Sequence, residues 1–81
     1  MEIIVIKNKS IAMIEVFKTN VQRSKQAKKI ITKLHEHLPD SRINFDLEDC
    51  DKVLRIDSPR IINADVINML EQNGFLCEEL Q

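Results

Sequence analysis

Between residues 42 and 47 the chain runs Arg42-Ile43-Asn44-Phe45-Asp46-Leu47, polar and apolar in strict alternation. A period of two puts Ile43, Phe45 and Leu47 on one face of an extended strand and Arg42, Asn44 and Asp46 on the other. Such a strand holds only where an apolar layer covers one of its faces. The sequence just upstream supplies that layer. Ala27, Ile30, Ile31, Leu34 and Leu38 recur at three- and four-residue steps as the stripe of an amphipathic helix, with Lys25, Lys28, Lys29 and Lys33 on its far side. A helix and a strand that must cover one another point to a mixed α+β architecture.

The remaining elements follow from their breakers. Ile11 to Phe17 is a short apolar run interrupted by Glu15, expected as a strand buried on at least one face. Asn20 or Ser24 is placed to cap the first helix, and Pro39 ends it by disfavouring helical geometry at Leu38. Glu48 to Asp51 turn the alternating strand back, and Val53 to Ile56 return as its hairpin partner before Ser58-Pro59. Asn63 is expected to cap a second helix carrying Val66, Ile67 and Leu70. Asn73-Gly74 closes that helix, and Phe75 to Leu80 form the last strand. Right-handed crossovers fold the order strand-helix-strand-strand-helix-strand into a ferredoxin-like βαββαβ sandwich. That fold is a four-stranded antiparallel sheet of spatial order 4-1-3-2 with two helices on one face. It accounts for residues 13–81, and residues 1–12 stand outside it as an N-terminal extension.

Composition narrows the function. The net charge is -1, and three Phe with no Tyr or Trp leave few platforms for stacked bases. Nucleic acid is therefore not an expected partner, nor is an anionic membrane. No apolar run approaches the roughly 18 residues of a membrane span, and Met1 to Ile6 lack a signal-peptide pattern. Cytoplasm is the default compartment. The single Gly excludes a dinucleotide or phosphate-binding glycine loop, and no nucleophile–base triad is visible, so an enzyme is not expected and no cofactor is implied.

Three stretches carry a family resemblance. Ile43-Asn44-Phe45-Asp46-Leu47 is similar to a strand ending near an Asp-Leu pair. Val66-Ile67-Asn68-Met69-Leu70-Glu71-Gln72-Asn73-Gly74-Phe75 is similar to a second helix with a Gly-aromatic corner. Val21-Gln22-Arg23-Ser24-Lys25-Gln26-Ala27-Lys28-Lys29-Ile30 is similar to a metal loop running into a helix. Together with the element order, residues 13 to 80 resemble the heavy-metal-associated domain of copper chaperones and metal-transporting ATPases. The resemblance puts Val21 in place of the loop methionine, Arg23 at the first cysteine and Gln26 at the second. Soft metals select thiolates, and Arg23 adds a permanent positive charge, so metal binding does not carry over to these degenerate positions. What the resemblance implies is a fold and a habit of docking partners by complementary charge.

Other residues offer little metal chemistry. His35 and His37 are about 200° apart on a helix and cannot chelate together. Cys50 and Cys77 fall on opposite edge strands of the expected sheet, about 14 Å apart, beyond disulfide reach. Cys77 is expected as a small core residue, while Cys50 is the one candidate ligand for a metal-handling alternative. Asp46, Glu48, Asp49 and Asp51 crowd one hairpin but lack the glycine and length of a calcium loop. A solvated acidic turn is the plainer account of them.

The expected function is a non-catalytic interaction module. Its surface would comprise basic Arg23, Lys25, Lys28, Lys29 and Lys33 together with acidic Asp46, Glu48, Asp49 and Asp51, facing a protein partner. The competing account of such charge runs is simple solvation. In the extension, Ile3, Ile4, Val5 and Ile6 form a β-branched segment that Lys7 to Ser10 would turn back onto the first strand. In the expected sheet that strand is flanked on both sides. The segment is therefore expected to pair with a second copy, giving a homodimer; the alternative is that translation begins at Met13.

Overall fold

The structure, a computed structural model, describes residues 13–80. Strand β1 (Met13–Thr19) leads into helix α1 (Ser24–His37), followed by strands β2 (Arg42–Asp46) and β3 (Val53–Ser58), helix α2 (Asn63–Gln72) and strand β4 (Cys77–Glu79). The four strands form one antiparallel sheet in the order β2-β3-β1-β4, which is the expected 4-1-3-2 counted from the other edge.

Register explains which side chains meet the helices. Phe17 of β1 lies opposite Leu54 of β3, which lies opposite Phe45 of β2; Glu15, Ile56 and Ile43 form the next row. Phe17, Leu54 and Ile56 join Ala27, Ile30 and Leu34 of α1 and Val66 and Leu70 of α2 in one buried cluster. Both helices therefore cover the same sheet face. Each fully buried Ile, Leu or Phe in this layer contributes about 1.5–3 kcal/mol. The stripe inferred from spacing is this face of α1, with Ile31 only half-buried at its margin.

The elements depart from expectation in several places, among them β2, which ends at Asp46 and leaves Leu47 to the turn, and β3, which runs on to Ser58. The last strand is confined to Cys77–Glu79, because Phe75 is taken up by the helix ending and the Leu76 N–H by the Asn20 side chain. Gly74, at φ 88°, and Phe75 send their N–H groups back to the Glu71 and Leu70 carbonyls at 3.0 and 2.9 Å, the paired bonds of a Schellman ending. Neither Asn20 nor Ser24 caps α1: Arg23 occupies the cap position with extended backbone. Asn63 does not cap α2 either. It is the helix's first residue, and its Nδ2 donates to Glu15 Oε1 at 3.2 Å. That bond explains an acid on the helix-facing side of β1, because Glu15 sits at the positive end of α2. Lastly, β1 continues through Lys18 and Thr19 rather than stopping at Phe17.

The two flanks of β1 are covered over different lengths. On the β3 side its pairing covers Met13 to Phe17. On the β4 side it covers Phe17 to Thr19, extended to Val16 by the Leu80 N–H at 2.9 Å from the Val16 carbonyl. Among the described residues, nothing pairs with Met13 to Glu15 on that side. Ile3, Ile4, Val5 and Ile6, the expected dimerisation segment, lie outside the described residues.

Candidate functional site

Three loops meet at the end of the sandwich where β1 hands over to α1, and Thr19 and Asn20 tie them together. Thr19, buried, donates its N–H to the Asp51 carbonyl at 3.0 Å and its Oγ1–H to the Lys52 carbonyl at 2.6 Å. The same Oγ1 accepts the Val21 N–H at 3.2 Å. Asn20 Oδ1 accepts the Leu76 N–H at 2.8 Å. The β1–α1 loop, the β2–β3 turn and the α2–β4 turn are thereby locked side by side. From the sequence Thr19 reads as a strand break and Asn20 as a helix-cap candidate, and neither position discloses these ties.

The degenerate loop positions fall where a loop-to-helix junction puts them. Val21 is fully buried and anchors the loop in the core. Gln26, one turn into α1, accepts the N–H groups of Gln22 and Arg23 on its Oε1 at 3.3 and 3.2 Å. This is the back-reaching half of a capping box, in which an N3 side chain satisfies orphan donors at the helix start. Arg23 and Gln26 are thus adjacent in space. Gln26 has a structural occupation that the sequence alone did not disclose.

The acidic hairpin is built in a similar way. Asp46 Oδ1 accepts the Glu48 N–H at 3.2 Å and Asp49 Oδ1 accepts the Asp51 N–H at 2.8 Å. Short acidic side chains commonly fold a turn onto its own backbone like this. Lys52 sits at φ 47°, a left-handed position, and its Nζ donates to the Leu47 carbonyl at 2.9 Å. Asp46, Glu48 and Asp49 remain exposed. Asp51 is half-buried and its Oδ1 lies 3.9 Å from Lys18 Nζ. Cys50 projects from the tip, exposed and free, and ligand atoms of Asp49, Cys50 and Asp51 lie within 4.8 Å of one another. Cys77 is buried in β4 opposite Thr19; burial, reinforced by Glu71, Glu78 and Glu79, pushes its thiol up to about 12. Both cysteines are free, Cys50 exposed in the β2–β3 turn and Cys77 buried in β4.

On α1, Lys25, Lys28 and Lys29 are exposed together with Arg23, whereas Lys33 is half-buried. The two ion pairs between described residues are Lys18–Asp51 and Arg60–Asp40, and neither draws on the basic face of α1. His35 is more than a solvated residue: its ring lies 3.0 Å from the Ser41 carbonyl, Nε2 donating, and fastens the end of α1 to the start of β2. His37 lines a shallow groove between the helices with Leu34, Leu38, Asp65 and Met69. Leu76 is 68% exposed at the three-loop end.

No protein-family model, curated protein or solved structure matches the chain. Among the described residues no helix is long and apolar enough to cross a membrane.

Proposed function

We propose that this chain is a non-catalytic binding module, akin to a heavy-metal-associated domain without its cysteine pair, that docks a protein partner through the three-loop end. The observation that carries this reading is the opposition of charge there. Arg23 and the exposed lysines of α1 begin at the same end as the exposed carboxylates of the β2–β3 turn, and among the described residues the basic face of α1 makes no ion pair. Exposed charges of this kind contribute little to stability. They are free to steer and orient a partner of complementary charge. Loop geometry supports the family likeness, since Val21 is buried, Arg23 stands at the helix cap and Gln26 lies in the first turn.

Affinity capture on the immobilised chain at low salt tests the reading. A specific partner elutes as salt approaches ~1 M, where the screening length falls to about 3 Å. Reversing Lys25, Lys28 and Lys29 to Glu abolishes its capture. Retention of that partner at ~1 M salt, or by the reversed variant, defeats the electrostatic picture.

A second reading, metal handling with Cys50 as a ligand, is favoured by the convergence of the Asp49, Cys50 and Asp51 ligand atoms. Titration of the reduced chain with Cu(I) and Zn(II) separates the two. Tight stoichiometric binding lost in Cys50→Ala establishes metal handling; weak binding unaffected by that substitution leaves the docking module.

A further inference from the structure

β2 is an outer strand of the sheet, and the direction of its backbone groups follows from the pairing of its neighbours. The Leu80 N–H meets the Val16 carbonyl, so even-numbered β1 residues turn their backbone groups toward β4 and odd-numbered ones toward β3. Glu15–Ile56 and Phe17–Leu54 are then hydrogen-bonded pairs, which leaves Arg55 and Asp57 of β3 to bond Asn44 and Arg42 of β2. Ile43 and Phe45 therefore send their N–H and carbonyl groups outward, and among the described residues no strand receives them. This length of edge is bounded at both ends. The Ser41 N–H is taken by the Leu38 carbonyl and the Ser41 carbonyl by His35 Nε2, while the Leu47 carbonyl accepts Lys52 Nζ. An apolar margin runs beside it. Ile43, Phe45 and Leu47 are half-buried against the core, and half-buried Ile31 stands one turn before His35 on the flank of α1 that faces β2.

We propose that this edge pairs with the same edge of a second copy of the chain, antiparallel about a two-fold axis through Asn44. The charges of β2 select both the occupant and the register. With Asn44 opposite Asn44 of the second copy, Ile43 faces Phe45 and Arg42 faces Asp46, each twice over by symmetry. Both outward-facing residues are then fully used, since each Ile43–Phe45 pair exchanges two backbone hydrogen bonds. Arg42 and Asp46 are exposed, and opposite charges directly across an antiparallel pair attract. Among the described residues Arg42 makes no ion pair, and Asp46 commits only Oδ1, to the Glu48 N–H. The neighbouring registers lack this fit. An axis through Ile43 sets Phe45 against Ser41, whose backbone groups are both taken, and Asp46 against Asp40. An axis through Phe45 sets Ile43 against Leu47, whose carbonyl is taken. The pairing covers the apolar margin of both copies and hides an edge that would otherwise recruit foreign strands. It does not depend on the docking proposed for the three-loop end.

The test is sedimentation of the full chain over a concentration series reaching ~1 mM. The parent chain is expected to pass from monomer to dimer. Arg42→Asp and Asp46→Arg each set like charges opposite one another on both sides of the axis, and each is expected to weaken the dimer about tenfold. The double reversal R42D/D46R restores the opposition and is expected to restore the dimer. A cross-link reads the register without relying on affinity. Asn44→Cys in a Cys50→Ser background brings two thiols together across the axis, where facing Cα atoms lie about 4.5 Å apart, within disulfide range. Mild oxidation is expected to give a covalent dimer on non-reducing electrophoresis. Arg42→Cys in the same background sets its thiols about 13 Å out of register and is expected to remain monomeric. A parent chain that is monomeric throughout the series overturns the proposal and leaves the edge to a strand of other origin. A dimer indifferent to both single reversals, or an Arg42→Cys chain that cross-links as readily as Asn44→Cys, places the contact elsewhere and overturns it too.

Discussion

Gln26 and Thr19 show how much of the three-loop end rests on single side chains. Replacing Gln26 with Ala frees the Gln22 and Arg23 N–H groups at the start of α1 and should cost about 0.5–2 kcal/mol, measured as a shift in urea midpoint. Thr19→Val keeps the volume but strands the part-buried Lys52 carbonyl and the buried Val21 N–H, a loss of about 1–3 kcal/mol. Gly74→Ala isolates a backbone effect. Nothing lies within 4 Å of where its Cβ would sit, so the expected loss of about 1–2 kcal/mol comes from the positive φ alone. At roughly 4–8 °C per kcal/mol for a domain this small, the loss is visible in thermal melting. Cys77 offers a pH readout. Its thiol is raised from 9.0 to about 12 by burial, so the native state holds this proton when the unfolded chain has released it. The contribution is complete below about pH 9 and is lost as pH rises toward about 12, so alkaline destabilisation over that window should be smaller in Cys77→Ala. At neutral pH a thiol reagent should label Cys50 alone until the fold is opened.

At the scale of elements, the proposed likeness of the β1–α1 junction to a metal loop is open to direct test. The double substitution R23C/Q26C supplies two thiolates at adjacent positions, one at the helix cap and one in the first turn. In a Cys50→Ala background it is expected to bind Cu(I) stoichiometrically through the two introduced thiols, and the Cys50→Ala chain without them is expected not to. Failure of the double variant to bind while it remains folded by circular dichroism would show that the junction does not share the family's geometry. Much of the element pattern was legible beforehand. The alternation of Ile43, Phe45 and Leu47 and the stripe from Ala27 to Leu38 are periodicities that water imposes on any half-buried strand or helix. Cap identities were not legible. Asn20 and Asn63 are good cap residues by type, yet their side chains are claimed by Leu76 and Glu15 from distant parts of the chain.

For the molecule as a whole, one buried layer between a four-stranded sheet and two helices carries the stability. Leu54 stands at its centre, fully buried on β3 with Phe17 and Phe45 as its cross-strand neighbours. Leu54→Ala should cost about 2–5 kcal/mol, a large share of what a domain of this size has in hand. Chemical denaturation of this variant should show a midpoint collapsed toward zero denaturant, or a chain already partly unfolded in buffer.

What the sequence determined by itself was the class, the order of elements and the residues facing the core, because hydrophobic periodicity is a local record of which face meets water. The sheet order β2-β3-β1-β4 followed once handed crossovers were imposed on that element order. Only the tertiary structure decided which loops share an end, that Gln26 caps backbone donors, and that β4 stops at Glu79. Each of these depends on partners far away in sequence, such as Thr19 with Lys52, Asn20 with Leu76 and Glu15 with Asn63. Such pairings are set by how the layers close on one another, and local spacing does not encode that geometry.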